Sequence, residues 1–466
     1  MSSGIDVLLV TTPRPPHLSP AAVQVSENSA PPLGLLNVAA ALEDAGYSVA
    51  VHDFYQLGGS PASILVLLDS LRPQVVGISA LTSGFHLALA LAKRVKEFDA
   101  DITTVIGGPH ATALPEEVAA NPQIDFVIRG EGEITMVELL RACGRKAALG
   151  LTPGLTFRSG SQVISTMDRS PMPFDEAPMP ARHLVPMDRY LQKGAIVTSR
   201  GCAYHCWFCS SVTFNTHKYR YRSSGLVIDE MDMLHDKYGI TDFEFIEDTF
   251  SCDAARVFEL MHQLRGKRYE WACQATIPDL DRTAALLPAM IESGCRGLFF
   301  GIESGNDAVL KKIKNMTRAK VLSTVDRAHR EGVRHFVTSF IIGHPWDTRE
   351  TIKDTLDFIL ELRARGAHTP LSILVPFPGS PIAKWPERFG ITIHSKEFRD
   401  YYYDRAVIST PNLAREELTD IYFEALELLT ASRSSTENVG SLSRSRLASP
   451  SPQAATEVET TTTVAG

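Results

Sequence analysis

Short apolar runs and helix-length amphipathic segments alternate twice along the 466-residue chain, and this alternation restricts the fold more than any other feature. Strands that are continuous apolar runs between helices are typical of a parallel sheet covered on both faces. The first series therefore predicts a doubly wound, Rossmann-like α/β domain over residues 1–145. Its predicted strands are residues 5–10, 47–51, 75–79, 102–106 and 124–128.

The second series begins at Ala195 and predicts six further strands, each followed by a helical segment. Six such units are too few to close in the manner of an eight-stranded barrel, so we expect a partial (β/α)6 barrel over residues 193–431 that ends in one helix. The predicted barrel strands are residues 195–199, 243–247, 271–276, 297–302, 335–342 and 371–377.

Two segments of the chain show no such periodicity. Residues 146–192 are rich in proline and predict an irregular linker between the two domains. Residues 432–466 are rich in Ser, Thr, Arg and Pro, with little to bury, and predict a disordered tail.

The charge and cysteine content narrow the class of protein. A net charge of −8 argues against nucleic acid as a partner, because phosphate binding needs an excess of Lys and Arg, and a small-molecule substrate is expected instead. No apolar run approaches the ~20 residues of a membrane span, and no export signal is visible, which predicts a cytoplasmic location without membrane contact. Seven cysteines in such a chain make a disulfide framework unexpected.

Three of the cysteines, Cys202, Cys206 and Cys209, fall within eight residues directly after the first predicted barrel strand. They therefore share one loop at the end of the barrel where ligands bind. Structural zinc takes four protein ligands, and no fourth partner follows at zinc-finger spacing. Three thiolates suit a 4Fe–4S cluster with one iron open to another ligand. A zinc site and a chance triplet are the alternatives.

The spacing CxxxCxxC, with Phe208 just before the last cysteine, resembles the signature of the radical S-adenosylmethionine (SAM) enzymes. The resemblance implies that Cys202, Cys206 and Cys209 bind the cluster and that Phe208 lies in the cofactor site. It also implies that SAM chelates the open iron through its amino and carboxylate groups. One electron from the cluster then cleaves SAM to a 5′-deoxyadenosyl radical, which abstracts a hydrogen atom from the substrate.

Two later segments extend the resemblance to the SAM-binding strands of that family. The segment that contains Glu247 and Asp248 resembles the end of the second strand, where the family holds the methionine end of SAM. The segment that contains Glu303 and Ser304 resembles a fourth-strand motif that contacts SAM through its acidic residue. Helix capping is the alternative role for these carboxylates.

The fifth and sixth strands carry further matches. Gly343 lies in residues 340–347, which resemble the family's segment near the adenine of SAM, although His344 stands where an apolar residue is common and Asp347 where Glu is common. Residues 376–381 resemble the turn that closes the sixth strand. The alternative is that these Gly and Pro residues only form turns.

The first domain resembles that of the cobalamin-binding radical SAM group in residues 31–34, 107–110 and 129–133. Members that ligate cobalt through histidine carry D-x-H-x-x-G after the first strand, whereas residues 11–16 contain no histidine. The sequence therefore predicts that any bound cobalamin lacks a protein histidine on cobalt, and it favours the absence of functional cobalamin.

Several charged or polar residues of the first domain have two interpretations. His110 either contacts a corrin or phosphate, or is a solvent-exposed turn residue. For Arg129, Glu131 and Glu133 we expect an ion network at the domain interface.

Two chemistries follow from the resemblance. The favoured one is radical dehydration or deoxygenation of a polyol or aminoglycoside diol in antibiotic biosynthesis, because the chain has only one helix after the barrel and lacks the cobalt-binding histidine. The alternative is methylation of a carbon atom by methylcobalamin. An iron–sulfur binding or sensing module is the alternative from another class. An enzyme of this kind needs an electron donor, either flavodoxin or a dedicated reductase.

Polar residues near the predicted barrel mouth would suit a hydroxylated or amino-sugar ligand: Asn215, His217, Tyr219, Tyr221, Arg222, Gln274 and Asp279. Among these, Tyr219, Tyr221 and His217 are the candidates for catalytic proton transfer.

Overall fold

A computed structural model describes residues 4–15, 30–142, 149–215 and 218–434. These ranges form two α/β units in chain order, which confirms the predicted fold class. Residues 435–466, which make up most of the predicted tail, lie outside the described residues.

The first unit is built on a sheet whose five parallel strands lie in the order β2-β1-β3-β4-β5. The order in which strands are added to the sheet therefore reverses between β1 and β3. Doubly wound domains bind ligands at such a reversal, at the carboxyl ends of their strands. The strands are β1 Val7–Thr11, β2 Val49–His52, β3 Val75–Ser79, β4 Thr103–Gly107 and β5 Phe126–Ile128. The helices are α1 Leu33–Asp44, α2 Phe54–Leu57, α3 Ile64–Leu71, α4 Phe85–Phe98, α5 Pro109–Ala113, α6 Pro115–Ala119 and α7 Glu133–Ala142.

The segment predicted as an irregular linker adds two strands to this sheet. β6 Leu155–Ser159 pairs antiparallel with β5, and β7 Gln162–Ser165 pairs antiparallel with β6. All four residues of β7 are exposed, so no apolar periodicity marks it in the sequence. The prediction of a wholly irregular linker was therefore wrong, because backbone pairing and not side-chain burial forms this strand.

The second unit is an open six-stranded parallel sheet with the order β8-β11-β12-β13-β14-β15, as predicted for a partial barrel. A short antiparallel pair, β9 and β10, lies next to its first strand. The strands are β8 Ala195–Ile196, β9 Ser199–Arg200, β10 Arg220–Tyr221, β11 Asp242–Phe245, β12 Glu270–Gln274, β13 Cys295–Glu303, β14 His335–Ile342 and β15 Leu371–Ile373. The helices are α8 Ser211–Asn215, α9 Ser224–Tyr238, α10 Ala254–Leu264, α11 Ile277–Arg282, α12 Leu286–Glu292, α13 Asp307–Lys314, α14 Arg318–Glu331, α15 Arg349–Arg363 and α16 Pro381–Lys384.

The chain after the barrel is more than the single helix that the sequence predicts. Strands β16 Thr392–Ile393 and β17 Ile408–Ser409 pair antiparallel, and the chain between them reaches the first unit. The final helix is α17 Arg415–Ser434. None of the helices in the described ranges is both long enough and apolar enough to cross a bilayer.

An ion network joins the two units, as predicted for Glu131 and Glu133. The Arg200 guanidinium lies 2.6 Å from Glu133 Oε1 and 3.3 Å from Glu131 Oε1, and Arg220 lies 2.5 Å from the same Glu131 atom. Arg129 instead pairs with Asp168 at 3.2 Å, within the first unit. Because Arg200 is two residues before Cys202, this network connects the first domain to the cysteine loop.

Candidate functional site

The three cysteines follow β9 and lie on the loop before α8, at the carboxyl end of the barrel. Burial raises the pKa of Cys209 to about 11, and negative charge on Asp248, Cys206 and Cys202 adds to the shift. The thiols of this loop are therefore close enough to influence one another electrostatically. The loop is also internally bonded, since the Cys209 amide donates to the Cys206 carbonyl at 3.1 Å.

The donor set fits an iron–sulfur cluster better than a single metal ion. In the described part of the chain, no three His, Cys, Asp or Glu side chains converge on a point that could hold one ion. Zinc would require four ligand atoms about 2.0–2.3 Å from one centre. Three thiols on one loop suit three corners of a four-iron cluster, with the fourth iron open to another ligand.

Asp279 fixes the middle of the cysteine loop to the barrel. Its carboxylate accepts hydrogen bonds from the hydroxyl groups of Tyr204 at 2.5 Å, Thr276 at 2.7 Å and Ser251 at 2.9 Å. Asp279 is buried, so it supports the cysteine loop from within the barrel. The sequence had indicated that it would line the barrel mouth, and it does not.

Glu303 ends the fourth strand of the barrel sheet in a strained conformation. Its φ is +76°, and a register shift in the pairing with β14 occurs at this point. The other two non-glycine residues with positive φ in the described ranges, Arg72 and Asn315, are ordinary left-handed helix C-caps. A strained residue within a strand is typical of a functional site, where the surrounding structure maintains it.

Gly301, two residues before Glu303, leaves the space that the Glu303 carboxylate occupies. A Cβ atom at Gly301 would lie 2.5 Å from Glu303 Oε1, so any larger residue there would displace the carboxylate from its present position over the strand. The predicted motif of Gly301 and Glu303 thus has a steric basis. Its role in SAM binding stays a prediction.

Lys314, at the end of α13, is a site residue that the sequence analysis missed. Its Nζ lies 3.3 Å from Glu303 Oε1 and 5.8 Å from the centre of the Phe208 ring. Burial lowers the pKa of Lys314, but Glu303 and the thiols of Cys206 and Cys209 outweigh it and raise the pKa. Three lysines near the end of α13 look like ordinary partners of a helix C-terminus, so no sequence signal distinguishes Lys314.

The Glu303–Lys314 pair presents one negative and one positive group beside the cysteine loop. The amino group and the carboxylate of SAM share one carbon atom, so this pair offers a side chain of suitable charge to each of them. We expect Glu303→Gln to weaken SAM binding by about 1.5–3 kcal/mol, the value of a hydrogen bond to a charged group. Equilibrium binding of SAM to the cluster-loaded variant measures this, with iron content as the control. Unchanged affinity would show that Glu303 only shapes the strand end.

Glu247 lies beneath the site surface, where it forms a structural network. Its Oε2 accepts hydrogen bonds from the Thr198 and Ser199 amides at 2.7 and 3.0 Å, and its Oε1 lies 3.3 Å from the Arg256 guanidinium. The side chain is fully buried, so it holds the chain that leads into the cysteine loop. The neighbouring Asp248 reaches the loop itself, where Ser211 Oγ donates to its Oδ2 at 2.5 Å.

The three predicted proton-transfer residues are not equivalent. Tyr219 is held by Arg256, whose guanidinium donates to its hydroxyl at 3.1 Å, and burial raises its pKa. Tyr221 is 43% exposed on β10 and is the open one of the two tyrosines. His217 lies outside the described residues, as does the side chain of Asn215.

Two further predicted residues are structural in part. Ser304 is buried, and its hydroxyl accepts from the Asn306 amide at 3.2 Å, which shapes the start of α13. Arg222 is also buried and pairs with Glu230 at 3.2 Å, so it does not line the barrel mouth.

His344 and Asp347, the two residues that differ from the family pattern, help to form the loop after β14. Asp347 Oδ2 accepts from the amides of Gly343 and His344, both at 2.9 Å. A Cβ atom at Gly343 would lie 2.7 Å from a Leu418 methyl carbon, so α17 packs against this glycine. His344 is buried, and burial lowers its pKa; its ring lies 5.7 Å from Trp207 and 6.1 Å from Phe208. His344 thus packs among aromatic rings at the position where the family often has an apolar residue.

Gly108 lets the start of α5 pack closely against the end of β3 at the carboxyl edge of the first sheet. Gly108 has a φ of +98°, and a Cβ atom there would lie 3.0 Å from the Ala80 carbonyl oxygen. Leu81, just after β3, is 59% exposed beside it. The exposed Leu81 leaves an apolar surface at this edge, which suits the large apolar face of a cofactor such as cobalamin.

His110 is not the exposed turn residue that the sequence analysis considered. It is fully buried, with its ring centre 4.2 Å from Phe85 and 4.7 Å from Phe398, and its Nδ1 lies 3.3 Å from Thr82 Oγ1. The sequence could not reveal this, because Phe398 belongs to the other end of the chain.

Burial of His110 has a consequence for stability. Burial lowers its pKa from 6.5 to about 4, so between these values the unfolded chain binds a proton that the folded chain excludes. We therefore expect the free energy of unfolding to fall as the pH decreases through this window, by on the order of 3 kcal/mol. Denaturant unfolding of the protein and of His110→Phe at several pH values measures this. An equal pH dependence in both would contradict the assignment.

Comparison with known proteins gives matches over most of the chain. A B12 binding domain model matches residues 20–140, and a Radical SAM superfamily model matches residues 196–359. An uncharacterized methyltransferase of Pyrococcus horikoshii is 33% identical over 377 residues, which are 78% of this chain and 80% of the relative. The cytidylyl-2-hydroxyethylphosphonate methyltransferase of Streptomyces wedmorensis is 28% identical over 445 residues, 82% of each chain.

A solved structure shares the fold of both units. The radical SAM methyltransferase TsrM from Kitasatospora setae, with cobalamin and a 4Fe–4S cluster bound, gives a TM-score of 0.68 at 19% identity. The match covers 92% of this chain and 89% of that one. The B12 match weighs against the expectation that the first domain lacks functional cobalamin. With both domain models matched and a relative aligned over most of its length, the chain belongs to the radical SAM enzymes that carry an amino-terminal B12-binding domain.

Proposed function

We propose that the protein is a cobalamin-dependent radical SAM methyltransferase that acts on a small molecule. The observation that carries this is the connection between the two ligand edges: Glu131 and Glu133 follow the last parallel strand of the first sheet and bind Arg200, which leads into the cysteine loop. Two cofactors held at these edges would lie on either side of one shared space. The relatives named above are methyltransferases, which favours methyl transfer over the dehydration preferred from the sequence.

The residues of the barrel divide the work of cofactor binding. When bound, the cluster and SAM supply the radical that activates the substrate, and cobalamin supplies the methyl group. Cys202, Cys206 and Cys209 hold the cluster. Glu303 would accept a hydrogen bond from the amino group of SAM and Lys314 would donate one to its carboxylate, because the two side chains are opposite in charge and lie side by side, 3.3 Å apart.

The remaining polar residues position these groups. Asp248 holds the end of the cysteine loop through Ser211, and Asp279 holds its middle through Tyr204. Removal of a hydrogen atom needs no proton acceptor, so the exposed Tyr221 is proposed as a substrate contact. An external electron donor, flavodoxin or a dedicated reductase, would reduce the cluster.

The test follows the methyl group without needing the substrate. Full-length protein carrying its cluster and hydroxocobalamin is incubated with a strong reductant and SAM labelled on its methyl group. Methyl transfer predicts that the label moves to cobalamin and that S-adenosylhomocysteine forms. Absence of both, in protein that retains cobalamin and iron, would overturn the proposal. Release of 5′-deoxyadenosine by protein free of cobalamin, with no methyl transfer when cobalamin is added, would instead support dehydration.

A further inference from the structure

Aromatic rings connect the cysteine loop to the surface of the barrel. Trp207 lies between Cys206 and Cys209 in the sequence, and its ring centre is 5.2 Å from that of Phe208. The Trp346 ring, on the loop after β14, packs edge-on against Trp207 with centres 5.6 Å apart. Both tryptophans are only partly buried. The protein surface at Trp346 is therefore close to the cysteine loop.

Residues 381–389, which include α16, also contact Trp207. The Ile382 amide donates to the Trp207 carbonyl at 3.0 Å. The Phe389 ring stacks on the Trp207 ring, with centres 5.1 Å apart. Because these two contacts lie at either side of Trp385 in the chain, they hold that part of the segment beside the cysteine loop as well.

Exposed cations lie over the two outer tryptophan rings. Lys312 Nζ, near the end of α13, is 5.0 Å from the centre of the Trp346 ring. Lys384 Nζ and the Arg388 guanidinium are 4.6 and 4.7 Å from the centre of the Trp385 ring. All three cationic side chains are exposed. We call the surface formed by these three cations and two rings the basic patch.

The charge of the basic patch differs from that of the protein as a whole. The chain carries a net charge of −8, whereas within residues 381–389 two cations accompany one carboxylate, Glu387. In the described part of the chain, Lys312, Lys384 and Arg388 form no ion pair, so their charges are available to a partner. Two acidic proteins repel each other at long range, and an acidic partner therefore approaches best at a patch of opposite sign.

We propose that the basic patch is the docking surface for an acidic one-electron carrier protein that reduces the cluster on the cysteine loop. This rests on the proposed function, which requires an external electron donor. The carrier loses one electron and the cluster gains it, and no bond forms or breaks. The positive charges attract the carrier, and the rings of Trp346 and Trp207 keep the separation between the docked carrier and the cysteine loop short.

Binding of a carrier tests the docking surface without any reaction. Full-length protein carrying its cluster is titrated calorimetrically at low salt with oxidised flavodoxin, an acidic carrier used as the probe. Lys312→Glu combined with Lys384→Glu, the double variant, is expected to raise the dissociation constant by about tenfold, equivalent to ~1.4 kcal/mol. Added salt is expected to weaken binding to the unaltered protein and to reduce its difference from the double variant.

Lys237→Glu is the matched control for this charge reversal. Lys237 is also exposed, and its Nζ also lies over an aromatic ring, 5.4 Å from the centre of Tyr238. It is near the end of α9, which leads into the amino end of β11, so it lies at the end of the barrel opposite to the cysteine loop. This variant is expected to bind flavodoxin as the unaltered protein does.

Reduction of the cluster separates docking from damage to the cysteine loop. Photoreduced flavodoxin and dithionite are each mixed anaerobically with the protein, and the loss of cluster absorbance is followed over time. The double variant is expected to react about tenfold more slowly with flavodoxin, because fewer encounters lead to docking. It is expected to react with dithionite at the rate of the unaltered protein, because this small reductant needs no docking surface.

The outcomes distinguish the docking surface from the proposed function. Equal flavodoxin affinity and reduction rate in the protein and the double variant would overturn the docking surface, as would failure of the unaltered protein to bind flavodoxin at low salt. An equal loss of affinity in Lys237→Glu, or slower reduction of the double variant by dithionite, would overturn it too. None of these results touches methyl transfer driven by dithionite. Confirmed docking without methyl transfer would contradict the proposed function alone.

Discussion

Replacement of Cys202, Cys206 and Cys209 together by alanine is expected to abolish iron binding and every SAM-dependent reaction of the protein. The three thiols share one loop at the carboxyl end of the barrel, within electrostatic reach of one another. A 4Fe–4S cluster with an open iron needs all three, because its remaining iron is reserved for SAM. After anaerobic reconstitution, iron analysis should give about four irons per chain for the protein and none for the variant.

Cys252→Ala provides the control for this experiment. Cys252 is also partly buried and carries a raised pKa of about 12, but it lies outside the loop. The control is expected to retain the full cluster, since isolated cysteines behave as small apolar side chains. If the triple variant kept about four irons, the assignment of the cluster to this loop would be wrong.

Glu247→Ala is expected to lower the free energy of unfolding by about 3–5 kcal/mol, because it leaves the Arg256 charge buried without its partner. The same change removes the acceptor of the Thr198 and Ser199 amides. Chemical denaturation of the protein and of the variant measures this change in the free energy of unfolding. Glu292→Ala, which breaks an exposed pair with Arg265, is the matched control and should change stability by no more than ~1 kcal/mol.

This experiment also separates the two roles considered for Glu247. A SAM ligand on the surface of the site would leave stability near that of the protein and weaken SAM binding alone. A structural residue lowers stability even without cofactors. Normal stability with lost SAM affinity would restore Glu247 to the position that family resemblance assigns to it.

Features that depend on local periodicity could be predicted well from the sequence. The strand Val75–Ser79 has the predicted bounds, because burial within one element leaves a regular apolar pattern. The exposed strand Gln162–Ser165 leaves none and was missed. The cysteine loop was predictable for a different reason: its three cysteines are so close in sequence that no tertiary information is needed to bring them together.

Contacts between distant segments were decided only by the tertiary structure. Spacing cannot show that Lys314 meets Glu303, nor that Phe398 covers His110, since each pair joins elements whose relative position depends on packing. Likewise Glu247 and Asp248 are adjacent in sequence just after β11, but their side chains meet different parts of the structure. One therefore supports the barrel from within and the other reaches the cysteine loop. The sequence by itself determined the two α/β units and the place of the three cysteines on one loop, whereas the contact of Phe398 with His110 and the charges around the cysteine loop required the packed fold.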